Sequence, residues 1–393
     1  MALVKKKLTI KVDLPIKIKL PESFTSEPLF LLLKNIKLTD PWVIFAIAFI
    51  VGFLDDVIIG ASTGYWNSRP GVVGVFDANN IPPLIMSLIV EPGVWAFFVG
   101  FPPALFELFK AIQERGILLT EQENAKEQGE LPTQEENVQE QVDRLRRIMS
   151  SWLFLIAVIP LAFGIAYYAM LIVGEYQPTP WFYLGWHYWL RFARIVGSAY
   201  VTVYAIAWSL LALFTLYGVF SSAKVKVNAY DSDNAGGLRF IGTFILKVSR
   251  LALIVVPLLV AETLFALRLG RGILGQFNFW LEIIILPLLL AVMVSMPLIA
   301  VRRAMFAAKD EFLNPLRDKI QDYILQTYPP HQTSKPQLEE ITALIDFQTK
   351  LRKDYTTWPF DMSMSQQIGI SFFLSLLPIV FSIIQQVSSN FAK

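Results

Sequence analysis

Seven stretches of the chain are apolar for long enough to cross a bilayer as helices, which takes about 20 residues each. They are Trp42–Ile59, Pro83–Phe109, Trp152–Val173, Ile195–Phe220, Leu251–Leu267, Phe279–Val301 and Ile368–Val387. The first has a clean apolar run only from Trp42 to Leu54, with Asp55 and Asp56 near its far end. Glu91-Pro92 and Pro102-Pro103 interrupt the second, which predicts a kinked or re-entrant span. Lys5, Lys6 and Lys7 are not followed closely by an apolar core, so no signal peptide is expected and the first span serves as an uncleaved anchor.

Between the spans the period changes. Ile10, Val12, Leu14, Ile16, Ile18 and Leu20 alternate with Lys11, Asp13, Pro15, Lys17 and Lys19. A period of two predicts a half-buried strand, or a hairpin bent at Pro15. Lys224-Val225-Lys226-Val227 repeats the alternation after the fourth span. A lone two-stranded piece is marginal in water; the two segments are expected to pair into one small sheet, the alternative being two unrelated basic flanks. Residues 121–136 are rich in Glu and Gln and read as a solvated linker. Thr133 and Glu136 fit a capping box. Val138, Val142, Leu145 and Met149 follow at helical spacing, predicting a helix that runs on into the third span.

The sixth span is expected to continue as a helix past Arg302-Arg303, with Met305, Phe312, Leu316, Ile320 and Tyr323 on one face, until Tyr328-Pro329-Pro330 stops it. A second helix starts at Ser334 and carries Leu338, Ile341, Ile345 and Leu351. The two make a helical hairpin, which either folds back on itself or offers a surface for a protein partner or a second copy. Trp181, Phe182, Trp186, Trp189 and Phe192 suit a short helix lying flat at the outer interface.

Composition agrees with the spans. Hydrophobic residues make up 54% of the 393 and charged residues only 17%, against roughly a quarter charged in a soluble domain. Mean hydropathy is +0.50. The fold class is therefore an all-α polytopic membrane protein of about seven transmembrane helices, with a small helical hairpin and a two-stranded sheet on one side. A net charge of +2 excludes a nucleic-acid binder driven by bulk charge.

Lysine and arginine orient the chain. With the N-terminus in the cytoplasm and sides alternating, the cytoplasmic segments are 1–41, 110–151, 221–250 and 302–367. They hold all of the 34 Lys and Arg except Arg69, Arg191, Arg194, Arg268, Arg271 and Lys393. The asymmetry predicts seven spans, N-in and C-out, in a plasma membrane. Residues 1–41 are then a basic strand-like segment, 42–109 the first two spans and 110–151 an acidic linker with a helix. Residues 152–301 hold spans three to six, 302–367 the hairpin and 368–393 the last span with the C-terminus. Lysines of the strand-like segments face the inner leaflet, where anionic lipid is an expected partner.

Two short signatures stand together in the C-terminal half. One is Tyr230-Asp231-Ser232-Asp233-Asn234-Ala235-Gly236-Gly237-Leu238 and the other Thr357-Trp358-Pro359-Phe360-Asp361, with Pro378 in the span behind it. The pairing resembles a group of uncharacterised bacterial multi-span membrane proteins. These carry a His-Pro-Asp-x-x-Gly-Gly-Leu-like loop and a Trp-Pro-Phe-Asp-like segment before the final span. This chain has Asp231-Ser232 where His-Pro is usual. The resemblance implies architecture and no activity. Physically, Gly236-Gly237 permits positive φ, Asp231 and Asp233 can cap turns, and Asp361 can cap the last helix behind the stiff Trp358-Pro359 anchor. The calcium-loop reading of the first signature fails, because Ala235 and Gly242 stand where ligands are needed.

Catalytic chemistry finds no foothold. With no cysteine, disulfides, thiolate zinc sites, Fe–S clusters and cysteine nucleophiles are excluded. Neither a P-loop, nor a His-Glu-x-x-His, nor a Gly-x-Ser-x-Gly occurs, and the two histidines, His187 and His331, do not form a metal cluster. No cofactor and no enzymatic activity are expected. The informative chemistry is acidic: Asp55, Asp56, Glu91, Glu262 and Glu282 all fall in the outer part of the predicted spans. Ionised carboxylates there are costly unless paired or hydrated. Either they form structural ion pairs with Arg191, Arg194, Arg268 and Arg271, or they line a hydrated cavity that binds a cation or proton. Pro92, Pro160, Pro257, Pro287 and Pro378 would supply the kinks around such a cavity. The expectation is ion or small-solute transport through it; the alternative is a scaffold or signalling protein acting through the hairpin.

Overall fold

The computed structural model describes residues 13–21, 24–60, 84–121, 134–174, 185–226, 237–248, 286–327 and 335–354, with a few short stretches or single positions outside them. The fifth and seventh predicted spans, the Trp358-Pro359-Asp361 segment, Asp231, Asp233, Gly236, Glu262 and Glu282 lie outside the described residues.

The described chain is mostly helical. In order it contains β1 (Asp13–Pro15), α1 (Pro28–Asn35) and α2 (Pro41–Phe53), the last prolonged by a π-helical turn, Leu54–Ile59. Next come β2 (Val72–Val73), a second π turn (Met86–Val90) leading into α3 (Glu91–Glu114), β3 (Leu118–Glu121) and α4 (Gln134–Met149). Then follow α5 (Trp152–Gly174), β4 (Thr179–Pro180), α6 (Trp186–Ser222), β5 (Lys224–Val225), α7 (Leu286–Thr327) and α8 (Lys335–Asp354). Among the described residues, three helices are long and apolar enough to cross a membrane: Met86–Glu114, Trp152–Leu171 and Trp186–Ser222.

Two of the elements keep their apolar side chains on the outside. On α2, Trp42 is 78% exposed, and Ile47, Ile50 and Val51 follow it; on α5, Trp152 is 67% exposed, with Ile156, Leu161, Phe163 and Tyr167 along the same helix. Apolar area of that extent outside the core is the pattern of helices bathed in lipid. The central helix is α6. At 37 residues it is about 55 Å long, well beyond the roughly 30 Å of a hydrocarbon core. Its middle holds an aromatic stack, with Phe98 lying 5.0 Å from Trp208 and Phe30 standing edge-on to both.

The helices α3 and α6 both end at one sheet, so the segments that follow them lie on the same side. The sheet has three strands in the order β1-β3-β5, antiparallel throughout. The two alternating segments thus share a sheet as expected, but they do not pair with each other. Between them stands Leu118–Glu121, which pairs Leu14 with Thr120 on one side and Leu119 with Lys224 on the other. Nor is there a hairpin at Pro15. The chain continues extended, burying Ile16 and Ile18 and exposing Lys17 and Lys19. Gln139 of α4 takes the place of a strand partner: its side chain accepts from the Lys19 amide at 2.8 Å and donates to the Lys19 carbonyl at 3.4 Å.

The helix expected to run into the third span breaks at residues 150–151. Helix α4 buries Val138, Val142, Leu145 and Met149, the expected face. The carbonyls freed at its end need donors; Thr25 Oγ1 reaches Met149 O at 3.5 Å and Ser26 Oγ reaches Ser150 O at 3.2 Å. Helix α7 does continue past Arg302-Arg303, and α8 packs against it as the predicted hairpin.

Candidate functional site

The site grows out of two helices that loosen at the same level. Helix α2 starts cleanly: Asp40 accepts from the amides of Trp42 at 2.8 Å and Val43 at 3.3 Å, and Pro41 occupies the first turn, where no donor is missed. From Leu54 it widens into the π turn that carries Asp55 and Asp56. On its neighbour the π turn Met86–Val90 comes just before Pro92. A proline ring collides with the carbonyl four residues back in a regular helix, and a widened turn relieves that collision. The helix then runs unbroken through Pro102 and Pro103. Gly52 lets the two backbones touch: a Cβ there would sit 2.5 Å from the Ser87 carbonyl oxygen.

Helix α6 brings the cations. Residues 186–194, expected as a flat helix and an outer loop, are instead its first turns, opened by Gly185 at φ +60°. Trp186 and Trp189 face outwards, while His187 and Arg191 are buried. Arg191, Arg194 and Ser198 lie three and four residues apart, so they share a face.

That face closes onto the acids. Arg191 Nη1 donates to Asp56 Oδ1 and lies 3.4 Å from Asp55 Oδ2. Arg194 Nη1 is 2.5 Å from Asp55 Oδ2, its Nη2 3.5 Å from Asp56 Oδ2, and its Nε 3.1 Å from Glu91 Oε2. Arg194 Nη1 also lies 3.5 Å from the Gly52 carbonyl. Ser87 Oγ donates to Asp56 Oδ2. His187 faces Asp55. The Asp56 side chain is 1% exposed, that of Arg191 5% and that of Glu91 12%. Three carboxylates therefore share two guanidiniums in a closed contact, where unpaired charge is costly.

Of the five acids expected either in ion pairs with arginine or around one hydrated cavity, three lie among the described residues, and the structure brings these together in ion pairs with Arg191 and Arg194. Ser87 and Ser198 were missed by sequence reasoning; the spacing of Ser198 behind Arg191 and Arg194 was the available signal. Among the described residues no group of three His, Asp or Glu could hold a metal ion.

A second polar contact sits further down α6. Tyr200 Oη donates to Glu27 Oε1 at 2.5 Å, and the same carboxylate caps α1 by accepting from the amides of Leu29 and Phe30. Tyr200→Phe is expected to cost about 1 kcal/mol of stability, a modest loss because Glu27 keeps its two amide donors; a thermal unfolding curve in detergent checks it. At the end of the first signature, Gly237 takes φ +84°. Arg115 Nη1 donates to its carbonyl at 3.0 Å, and the Arg115 guanidinium carbon lies 5.2 Å from the Phe240 ring centre. The described end of that signature is thus a turn locked to the end of α3. Compared with family models, with characterised proteins and with solved structures, the chain matches none of them.

Proposed function

We propose that the chain is a multi-pass protein of the bacterial inner membrane, N-in and C-out with seven spans, that moves a small ion or solute through the outer half of its bundle. The supporting observation is the Asp55–Asp56–Glu91 cluster clasped by Arg191 and Arg194. Buried ionisable groups at membrane depth are expensive and mark ion pathways more often than they fill space. Asp55 and Asp56 sit on one π turn and Glu91 directly follows another, a helix distortion common at functional sites, at the crossing of three helices. A closed cluster can serve transport only by opening, so the test is functional. Purified protein in liposomes, loaded with an imposed ion gradient, is expected to show flux above empty vesicles. Asp56→Asn is expected to bring that flux to background. No flux for any ion tried, or full flux in Asp56→Asn, counts against the reading.

At the other face, Lys17, Lys110 and Arg115 line one recess of about 640 Å³; an anionic lipid headgroup is the partner that such a lining suits. A second reading has its own support. On the hairpin, Ile324, Leu325, Ile345 and Phe347 are exposed, as a docking surface for a cytoplasmic protein or a second copy would require. In that case, deleting the hairpin abolishes a partner or an oligomer and leaves flux absent from the start.

A further inference from the structure

The charge count inside the cluster does not close. Asp55, Asp56 and Glu91 present three carboxylates to two permanent cations, Arg191 and Arg194. The three acids are not equally served. Asp56 has Arg191, Arg194 and the Ser87 hydroxyl. Asp55 has both arginines. Glu91 is in ion-pair contact with the Nε of Arg194, a guanidinium already pulled towards Asp55 at 2.5 Å, and stands in the field of Arg191. Glu91 is therefore the least closely paired of the three.

An independent observation points to the same carboxylate. Ser198 is 9% exposed, its hydroxyl is turned towards Glu91, and Ser198 Oγ has no hydrogen-bond partner of good geometry. A buried hydroxyl without a partner is uncommon and fits a site that is complete only in another state. A metal cation does not complete it, since among the described residues no acid triad converges on one point. A proton needs no such cage.

We propose that the cluster is a proton-binding site whose acceptor is the Glu91 carboxyl, with Ser198 as the hydrogen-bond acceptor of the acid form. This rests on the transport reading and names its ion. The step balances simply. Glu91 carboxylate takes one proton and becomes a neutral acid, and its O–H donates to Ser198 Oγ. The Arg194 Nε–Glu91 ion pair is given up, and Arg194 stays on Asp55 and Asp56. The described cluster then holds two carboxylates against two guanidiniums. Loss of the Glu91–Arg194 tie releases α3 from α6 at the π turn, which is where the bundle would open. The charged and titratable described groups facing Glu91 are Asp55 and Asp56 from the π turn of α2 and Arg191 and Arg194 from α6.

Infrared difference spectra of the purified protein, taken across a pH step in H₂O and in D₂O, test the assignment. A deuterium-sensitive carbonyl stretch of a protonated carboxyl is expected to grow as pH falls and to be missing in Glu91→Gln. Glu107→Gln, on the exposed part of α3 beside Lys247, is expected to keep it. Should Glu91→Gln fail to fold, Ser198→Ala decides: it removes a hydroxyl without a partner, and the band is expected to shift in frequency. A band that survives in Glu91→Gln, that disappears only in Asp56→Asn, or that is unmoved in Ser198→Ala overturns the assignment. A pH-sensitive dye in proteoliposomes separates the two ideas. Flux that carries no protons sinks the proton site and leaves transport standing. An intact Glu91 band with no flux of any ion sinks transport and leaves the proton site standing.

Discussion

Arg191→Leu is expected to be the most damaging single change in the described part of the protein, costing about 3–5 kcal/mol of stability. The arginine is buried and holds Asp56, whose remaining cation, Arg194, stands off at 3.5 Å. Truncating it leaves a carboxylate stranded among packed helices, and the penalty of the stranded charge exceeds the value of the bond lost. Adding Asp56→Asn removes that stranded charge. The double variant is therefore expected to be more stable than Arg191→Leu alone, because residues in one network do not act additively. Thermal unfolding in detergent of the wild type, both singles and the double checks this. Losses that simply add would show that Asp56 and Arg191 do not depend on each other.

Gly52→Ala is expected to cost about 3 kcal/mol, the upper end for an overpacked contact. The added methyl would meet the Ser87 carbonyl oxygen at 2.5 Å and its carbon at 3.2 Å. That obstacle is backbone and cannot rotate away. The two helices must part, which draws Ser87 from Asp56 and the Gly52 carbonyl from Arg194. The same substitution at Gly164, on an exposed side of α5 with open space around it, is expected to be neutral or to gain up to about 1 kcal/mol from helix propensity. Equal effects at the two glycines, read from melting curves and gel-filtration profiles, would remove the close crossing from the account.

Much of the helical framework was legible along the chain. The buried face of α4, the passage of α7 through Arg302-Arg303 and the packing of α8 against it all follow from the 3.6-residue spacing of apolar side chains. Periodicity was silent where a partner substitutes for a pattern. Leu118–Glu121 is too short to alternate visibly, yet it is the middle strand of the sheet. Its one sequence signal is Arg115-Gly116, since a glycine at positive φ ends α3 and frees the next four residues to pair. The break at residues 150–151 has no helix breaker; it exists because Thr25 and Ser26 arrive from far away with donors for the exposed carbonyls. Likewise Trp186–Phe192 looked like an interfacial shelf because aromatic composition is shared by a flat helix and by the outer turns of a spanning one.

The acids were visible as anomalies, because a carboxylate in an apolar run needs a reason wherever the chain folds. Which of them meet could not be read from spacing. Asp55 and Asp56 lie well over a hundred residues from Arg191 and Arg194, and no local rule links them. The chain itself determined that charge would be buried in the bundle, since the price of leaving apolar helices in water and carboxylates in lipid is written in residue type. Tertiary packing alone decided that three acids share two arginines: Gly52 and two π turns set how near the helices come, and that distance determines which charges can pair.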